Sequence, residues 1–139
     1  MAEFEQVGET KLTYYFFDVY KISYWKDAEN AKEKLELTYL RDVDKKHSLK
    51  GWEKGLESYL ENNDYNDAIN WIMSHTVDMK KGDVFKIIKK DNTVEFVVND
   101  EVKAKSKDQK VYQLVFEPWI GENPVDQSLK KDLCPKECS

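Results

Sequence analysis

Glycine and proline are scarce in this chain, five and three of 139 residues, which excludes collagen-like and Pro/Gly-rich low-complexity classes. Cysteine is limited to Cys134 and Cys138 in a C-x-x-x-C tail. Zinc takes about four ligands, and His47 and His75 stand far off without ligand-like spacing, so no metal site is expected. No apolar run approaches the roughly 20 residues that span a bilayer, and the first residues lack the basic-then-apolar pattern of a signal peptide. Glycine-rich phosphate loops, the G-x-S-x-G elbow and the H-E-x-x-H helix are all missing. No cofactor and no carboxylate dyad are therefore assigned. Positive charge comes almost wholly from lysine, Arg41 being the single arginine, and the net charge of −5 offers no basic field to phosphates. Nucleic acid is not an expected partner.

What is present is enough for one core. Hydrophobic residues make up 40% and charged residues 35% of the sequence, and a chain of this length buries most of its apolar surface without staples. A single domain over residues 1–133 is expected, followed by a polar tail at 134–139. The two tail cysteines can close a small disulfide in an oxidising compartment or stay as free thiols in a reducing one.

Lys11 to Trp25 is dense in Tyr, Phe, Val and Ile, the composition of one long strand or of two strands joined at a bend. From Lys34 to Val43, Leu35, Leu37 and Tyr39 alternate with Glu36 and Thr38, the period of a strand with one covered face. Leu49, Trp52, Leu56, Tyr59 and Leu60 then recur at helical steps, with Ser48 as N-cap. Asp64 is placed to cap a second helix carrying Ala68, Ile69, Ile72 and Met73. Three short strands follow, turning at Asp91-Asn92 and Asn99-Asp100. Lys107 to Trp119 reads as helix, and Ser128 to Leu133 as a last short one. Sequential hairpins with grouped helices indicate α+β.

Strict alternation carried through Leu35, Leu37, Tyr39 and Arg41 puts the guanidinium on the apolar face. Asp18 shares parity with Tyr14, Phe16, Tyr20 and Ile22. Arg41 then either pairs with Asp18 to fix strand register or binds a ligand carboxylate at the edge of an apolar pocket. Tyr14, Phe16, Tyr20 and Tyr39 line such a pocket in the second reading and pack the core in the first. His47, in a polar turn, and His75, at a helix end, read as surface and capping residues.

Tyr15-Phe16-Phe17-Asp18-Val19-Tyr20, Leu37-Thr38-Tyr39-Leu40-Arg41-Asp42, Lys81-Gly82-Asp83, Phe96-Val97-Val98-Asn99 and Val115-Phe116-Glu117-Pro118-Trp119-Ile120-Gly121 occur in that order over most of the chain. The series resembles the bacterial chalcone isomerase-like family. The resemblance implies an open-faced β-sandwich, an antiparallel sheet with a helical layer on one face and a ligand cleft between them. It also brings the plant enzymes' catalytic arginine to positions near Glu3 to Gln6, where no arginine stands, and their threonine to Tyr15. Their tyrosine and asparagine find no match, so the activity is not carried over. Non-catalytic relatives of this fold bind fatty acids, and bacterial relatives begin with a signal peptide. The resemblance thus implies a periplasmic or secreted protein, compatible with a Cys134–Cys138 disulfide, that holds a small apolar or amphipathic molecule. A chalcone-type isomerase and a protein-interaction module are the alternatives, and no protein partner is named.

Overall fold

The computed structural model describes residues 4–29 and 31–136. Six strands form one antiparallel sheet in sequence order: β1 (Glu5–Tyr14), β2 (Phe17–Lys26), β3 (Lys32–Tyr39), β4 (Val84–Lys90), β5 (Thr93–Val98) and β6 (Glu101–Ser106). Every strand pairs with its neighbour in the chain, so the sheet is a meander. Of the two expectations for Lys11–Trp25, the structure has the two strands joined at a bend, with β1 and β2 meeting across Tyr14↔Phe17. Two helical groups interrupt or follow the meander: α1 (Lys45–Gly55) and α2 (Asn66–Ser74) between β3 and β4, and α3 (Gln109–Leu114), α4 (Glu117–Ile120) and α5 (Gln127–Leu133) after β6. This is the α+β open-faced sandwich the resemblance implies.

Register explains which face is covered. Tyr20, Ile22 and Tyr24 lie opposite Tyr39, Leu37 and Leu35, which in turn face Phe85 and Ile87 on β4 and, through them, Phe96 on β5. All of these are buried, and the core cluster joins them to Trp52, Ile72, Leu114, Trp119 and Leu133 from the helices. The opposite face carries the intervening residues and is ionic. Lys34 and Lys86 lie 3.7 and 4.0 Å from Glu36, and Lys90 and Lys105 lie 3.5 and 3.6 Å from Glu95.

Helix boundaries depart from the sequence expectation for local reasons. Asp44, not Ser48, caps α1, its carboxylate accepting from the His47 backbone N–H at 3.0 Å. The helix stops at Gly55 rather than running through Leu60, because α4 crosses there; a Cβ on Gly55 would collide with Pro118. A short turn at Asn63–Tyr65, capped by Asn62 rather than Asp64, leads into α2. The stretch from Lys107 to Trp119 divides into α3 and α4, with Val111, Leu114 and Trp119 buried as the periodicity requires.

α5 lies against β1 at Gly8, where an added Cβ would meet the Asp132 carbonyl and come within 2.5 Å of the Leu133 carbonyl oxygen. Gly51, in α1, has open space around the same position. Gly8→Ala is expected to lower unfolding free energy by about 1–3 kcal/mol through overpacking. Gly51→Ala should raise it by about 1 kcal/mol through helix propensity alone. Denaturant melts of the two variants check the pair, and equal effects would contradict this placement of α5.

Candidate functional site

At the end of the sheet where β3 stops and β4 begins, the helical layer leaves a cleft of about 30 Å³, room for about one water. Trp52, Met79, Phe85 and Phe96 form its apolar lining, and Tyr39, Ser48, His75 and Lys103 also line it. Tyr39 is the last residue of β3. Ser48 reaches it because the Asp44 cap starts α1 early enough to place that hydroxyl inside the first turn, where it hydrogen-bonds the Tyr39 phenol. His75 follows α2, and its Nδ1 lies 2.7 Å from the Trp71 carbonyl oxygen. A ring nitrogen facing a carbonyl must donate, which leaves Nε2 as the acceptor in the neutral ring. Lys103, on edge strand β6, is half-exposed and lies 3.1 Å from Glu101.

Aromatic rings fill the space between sheet and helices. Trp52 stacks on Phe96 at 6.3 Å, while Trp71 and Phe85 meet Phe96 at 5.0 and 5.2 Å. Tyr20 and Tyr39 sit edge to face at 5.5 Å, and the Trp119 indole N–H donates to the Tyr20 oxygen at 2.8 Å. Burial drives both phenols well above the ordinary tyrosine range, against the opposing pull of the Trp119 and Ser48 hydrogen bonds. At neutral pH they are therefore hydrogen-bonding groups and not bases.

The residues singled out from sequence divide into three places. Tyr20 and Tyr39 lie on the covered face as expected, and Tyr39 lines the cleft. Tyr14 and Phe16 stand exposed at the β1–β2 turn, outside the cleft. Arg41 is exposed as well, its guanidinium 4.5 Å above the Phe17 ring. The reason is that the β3 ladder ends at Tyr39 and the chain bends at Leu40 and Arg41, so alternation no longer sets the side. Asp18 accepts from Thr13 at 2.9 Å and pairs with Lys11 at 3.5 Å, so the expected Asp18–Arg41 pair is replaced by local partners. Cys134 is buried at the end of α5 and carries no free thiol; Cys138, its expected disulfide partner, lies outside the described residues.

Sequence reading missed a charged pair on the covered face at the sheet's other end. Glu33 and Lys89 are direct cross-strand partners 3.7 Å apart, and the Tyr24 hydroxyl donates to Glu33. The Lys89 ammonium also lies 4.3 Å from the Tyr112 ring and 4.7 Å from Phe116. Burial lowers the Lys89 pKa, with Glu33 opposing the shift. The missed signal was parity: Glu33 continues the Leu35–Leu37–Tyr39 row backwards, as Lys89 continues Phe85 and Ile87 forwards. Among the described residues no cluster of His, Cys, Asp and Glu could hold a metal ion.

These shifts set an alkaline limit to stability. Tyr20 and Tyr39 have raised pKa values in the folded state, so their contribution is whole below the unfolded value of about 10 and drains away as pH rises beyond it. Lys89, shifted down, acts oppositely, but its gain is complete by the unfolded lysine pKa of about 10.4. Above about pH 10.5 only the tyrosine loss remains, and unfolding free energy should fall steadily. Denaturant midpoints across that range measure the slope, and Tyr39→Phe should flatten it. An unchanged slope in that variant would place the titration elsewhere.

Comparison with known proteins bears on this architecture in two ways. No curated protein matches the sequence significantly. Among solved structures, a fatty-acid binding protein of Arabidopsis thaliana superposes with a TM-score of 0.73 at 11% identity, over 94% of this chain and 86% of that one. At that identity the likeness speaks for the fold. The family profile described as chalcone isomerase-like matches residues 13–134, from the end of β1 through α5. This protein belongs to the chalcone isomerase-like family.

Proposed function

We propose that this protein is a non-catalytic carrier that holds a small apolar or amphipathic molecule, fatty-acid-like in chemistry, between the sheet and α1–α2. The observation that carries the reading is the composition of the cleft: an aromatic and aliphatic floor with Lys103 and His75 at the polar positions. Such a lining accepts a hydrocarbon chain, and a lysine ammonium supplies a counter-charge for one carboxylate. The Arabidopsis protein of the same fold, described as fatty-acid binding, supports the same choice of ligand. Arg41 is not among the residues that line this cleft, so Lys103 takes the carboxylate role.

Size demands movement. Drug-sized ligands occupy pockets of roughly 300–1,000 Å³, against about 30 Å³ in this closed form. The two legs of the insertion are tied to the sheet by backbone hydrogen bonds, Leu40 N–H to Val19 at 2.9 Å and Gly82 N–H to Tyr39 at 2.8 Å, while the rings of α1 and α2 meet it through side chains. Parting the Trp52, Trp71 and Phe96 rings lets an alkyl chain enter without breaking a β-ladder. Replacement of ring–ring contact by ring–alkyl contact leaves the buried apolar area nearly unchanged.

The same reading includes a bacterial, exported protein, periplasmic or secreted. A buried Cys134 without a free thiol supports an oxidising compartment. Protein purified from its host without reductant should resist alkylation at both cysteines until reduced, and a doubly alkylated native form would count against export.

Titration with a long-chain fatty acid should quench tryptophan emission, since Trp52 and Trp71 belong to the layer that must part. Lys103→Gln should weaken binding on the order of tenfold through loss of one charge-assisted contact. Chalcone absorbance in the same samples should decay at the buffer rate. Saturating fatty acid with no spectral response and no bound mass by native mass spectrometry would remove the carrier reading. A protein-dependent loss of chalcone would replace it with an isomerase.

A further inference from the structure

We propose that the β1–β2 hairpin tip is a wedge that docks the protein on an anionic lipid bilayer. Four consecutive aromatic residues form it, Tyr14, Tyr15, Phe16 and Phe17, with exposures of 62%, 78%, 97% and 58%. Scattered exposed apolar residues need no explanation, but a contiguous run at one protruding turn does.

Turn chemistry isolates this hairpin from the other two beyond it. At Asp91-Asn92 and Asn99-Asp100 both central residues have positive φ, 49° and 64° in one, 50° and 68° in the other. Asn and Asp tolerate that left-handed region, and such two-residue turns favour them. At the β1–β2 tip the first central residue also has positive φ, 58°, yet it is Tyr15. A tyrosine there is strained, and a local rule broken at an exposed position points to use of the side chain. Among the described residues the Tyr15 ring packs edge-on to Tyr14 at 4.5 Å, and Phe16 is almost wholly in solvent.

A convex two-residue turn cannot supply the roughly 800 Å² per partner that a stable protein interface buries. Insertion by about 5–10 Å into a bilayer interface covers the whole tip, with the tyrosine hydroxyls at headgroup depth. Charge at its base favours an anionic surface. Arg41 stacks on Phe17 and has no carboxylate partner among the described residues, and Lys21, exposed on β2, adds a second positive charge. The nearby acids are already engaged, Asp18 by Lys11 and Thr13, and Asp42 by the Lys81 backbone N–H.

The wedge and the cleft share one end of the sheet. Tyr20 lies opposite Tyr39, Thr38 opposite Val84 and Phe85 opposite Val98, so the cleft-lining ends of β3, β4 and β5 fall on the side where the hairpin turns. A docked tip brings the cleft to the lipid, where an amphipathic ligand partitions; this purpose, though not the docking, rests on the carrier reading.

Co-sedimentation with vesicles of phosphatidylcholine, with and without phosphatidylglycerol, tests the docking. The double substitution Tyr15→Gly, Phe16→Asn removes two rings and puts glycine at the one positive-φ position, so the fold should be retained, which a thermal melt checks. Wild type should sediment with the anionic vesicles, and the double variant should bind at least about tenfold more weakly. Arg41→Gln should lose most of the preference for phosphatidylglycerol. A wild type that stays in the supernatant, or a double variant that binds as tightly, overturns the proposal. Fatty-acid titration without vesicles reads the carrier function separately: the double variant should keep it, and its absence in both proteins would sink the carrier while leaving the vesicle result standing.

Discussion

The indole of Trp52 is the joint of the covered face. It stacks on Phe96 of β5 at 15° between planes and meets Trp119 of α4 edge-on at 5.3 Å, so one side chain ties the sheet to both helical groups. The helices of the insertion between β3 and β4 rely on such side chains, since its backbone bonds to the sheet lie at its two legs, Leu40 to Val19 and Gly82 to Tyr39, and the Val43–Met79 bridge only joins those legs. Large rings serve this purpose because each buries on the order of 150–250 Å² and prefers a few defined mutual orientations. The same dependence makes the interior permissive. A layer attached through rings can open by rotating side chains, whereas one attached through backbone hydrogen bonds would have to leave them unsatisfied.

A sheet covered on one side must also manage its other side and its edges. The open face does so with Glu36 and Glu95, each flanked by two lysines. Glu95 is buried and Glu36 half-buried, so the lysines supply the partners these carboxylates require, and together they keep the face from presenting an apolar patch. Edge strand β1 is shielded by α5 at Gly8. Edge strand β6 carries exposed Glu101 and Lys105, charges that discourage pairing with a second chain. Against this consistent defence, the bare aromatic tip between β1 and β2 is an exception and not an oversight of the surface as a whole.

Much of the fold was legible in the sequence because periodicity reports local geometry. Leu35, Leu37 and Tyr39 alternate as one covered face requires, and Ile69 and Ile72 keep helical spacing. What failed did so where tertiary contact overrides the local signal. Arg41 was assigned by extending an alternation past the point where the ladder ends, and nothing in residues 35–41 marks that end. Ser48 has the right chemistry for a cap, but Asp44 stands closer to where the chain turns from the sheet. The end of α1 depends on Pro118, a contact 63 residues away in sequence between positions 55 and 118. The cleft itself was only partly legible: Tyr39 was found by parity, while His75 and Lys103 come from a helix end and a strand edge that periodicity does not connect.

The parity argument that failed for Arg41 succeeds at the opposite end of the same strand. Glu33 and Lys89 are the charges that the covered face really accommodates, and both lie inside the ladder, where alternation still governs direction. A half-buried pair adds little net stability but penalises any register that separates it. A one-residue slip of β3 against β4 would carry Glu33 to the open face and leave Lys89 beneath the rings without its partner. The pair therefore holds strand register at the end remote from the cleft, under Tyr112 and Phe116. This division lets the cleft end remain loosely closed: with register secured elsewhere, the aromatic layer around Trp52 can move without endangering the sheet.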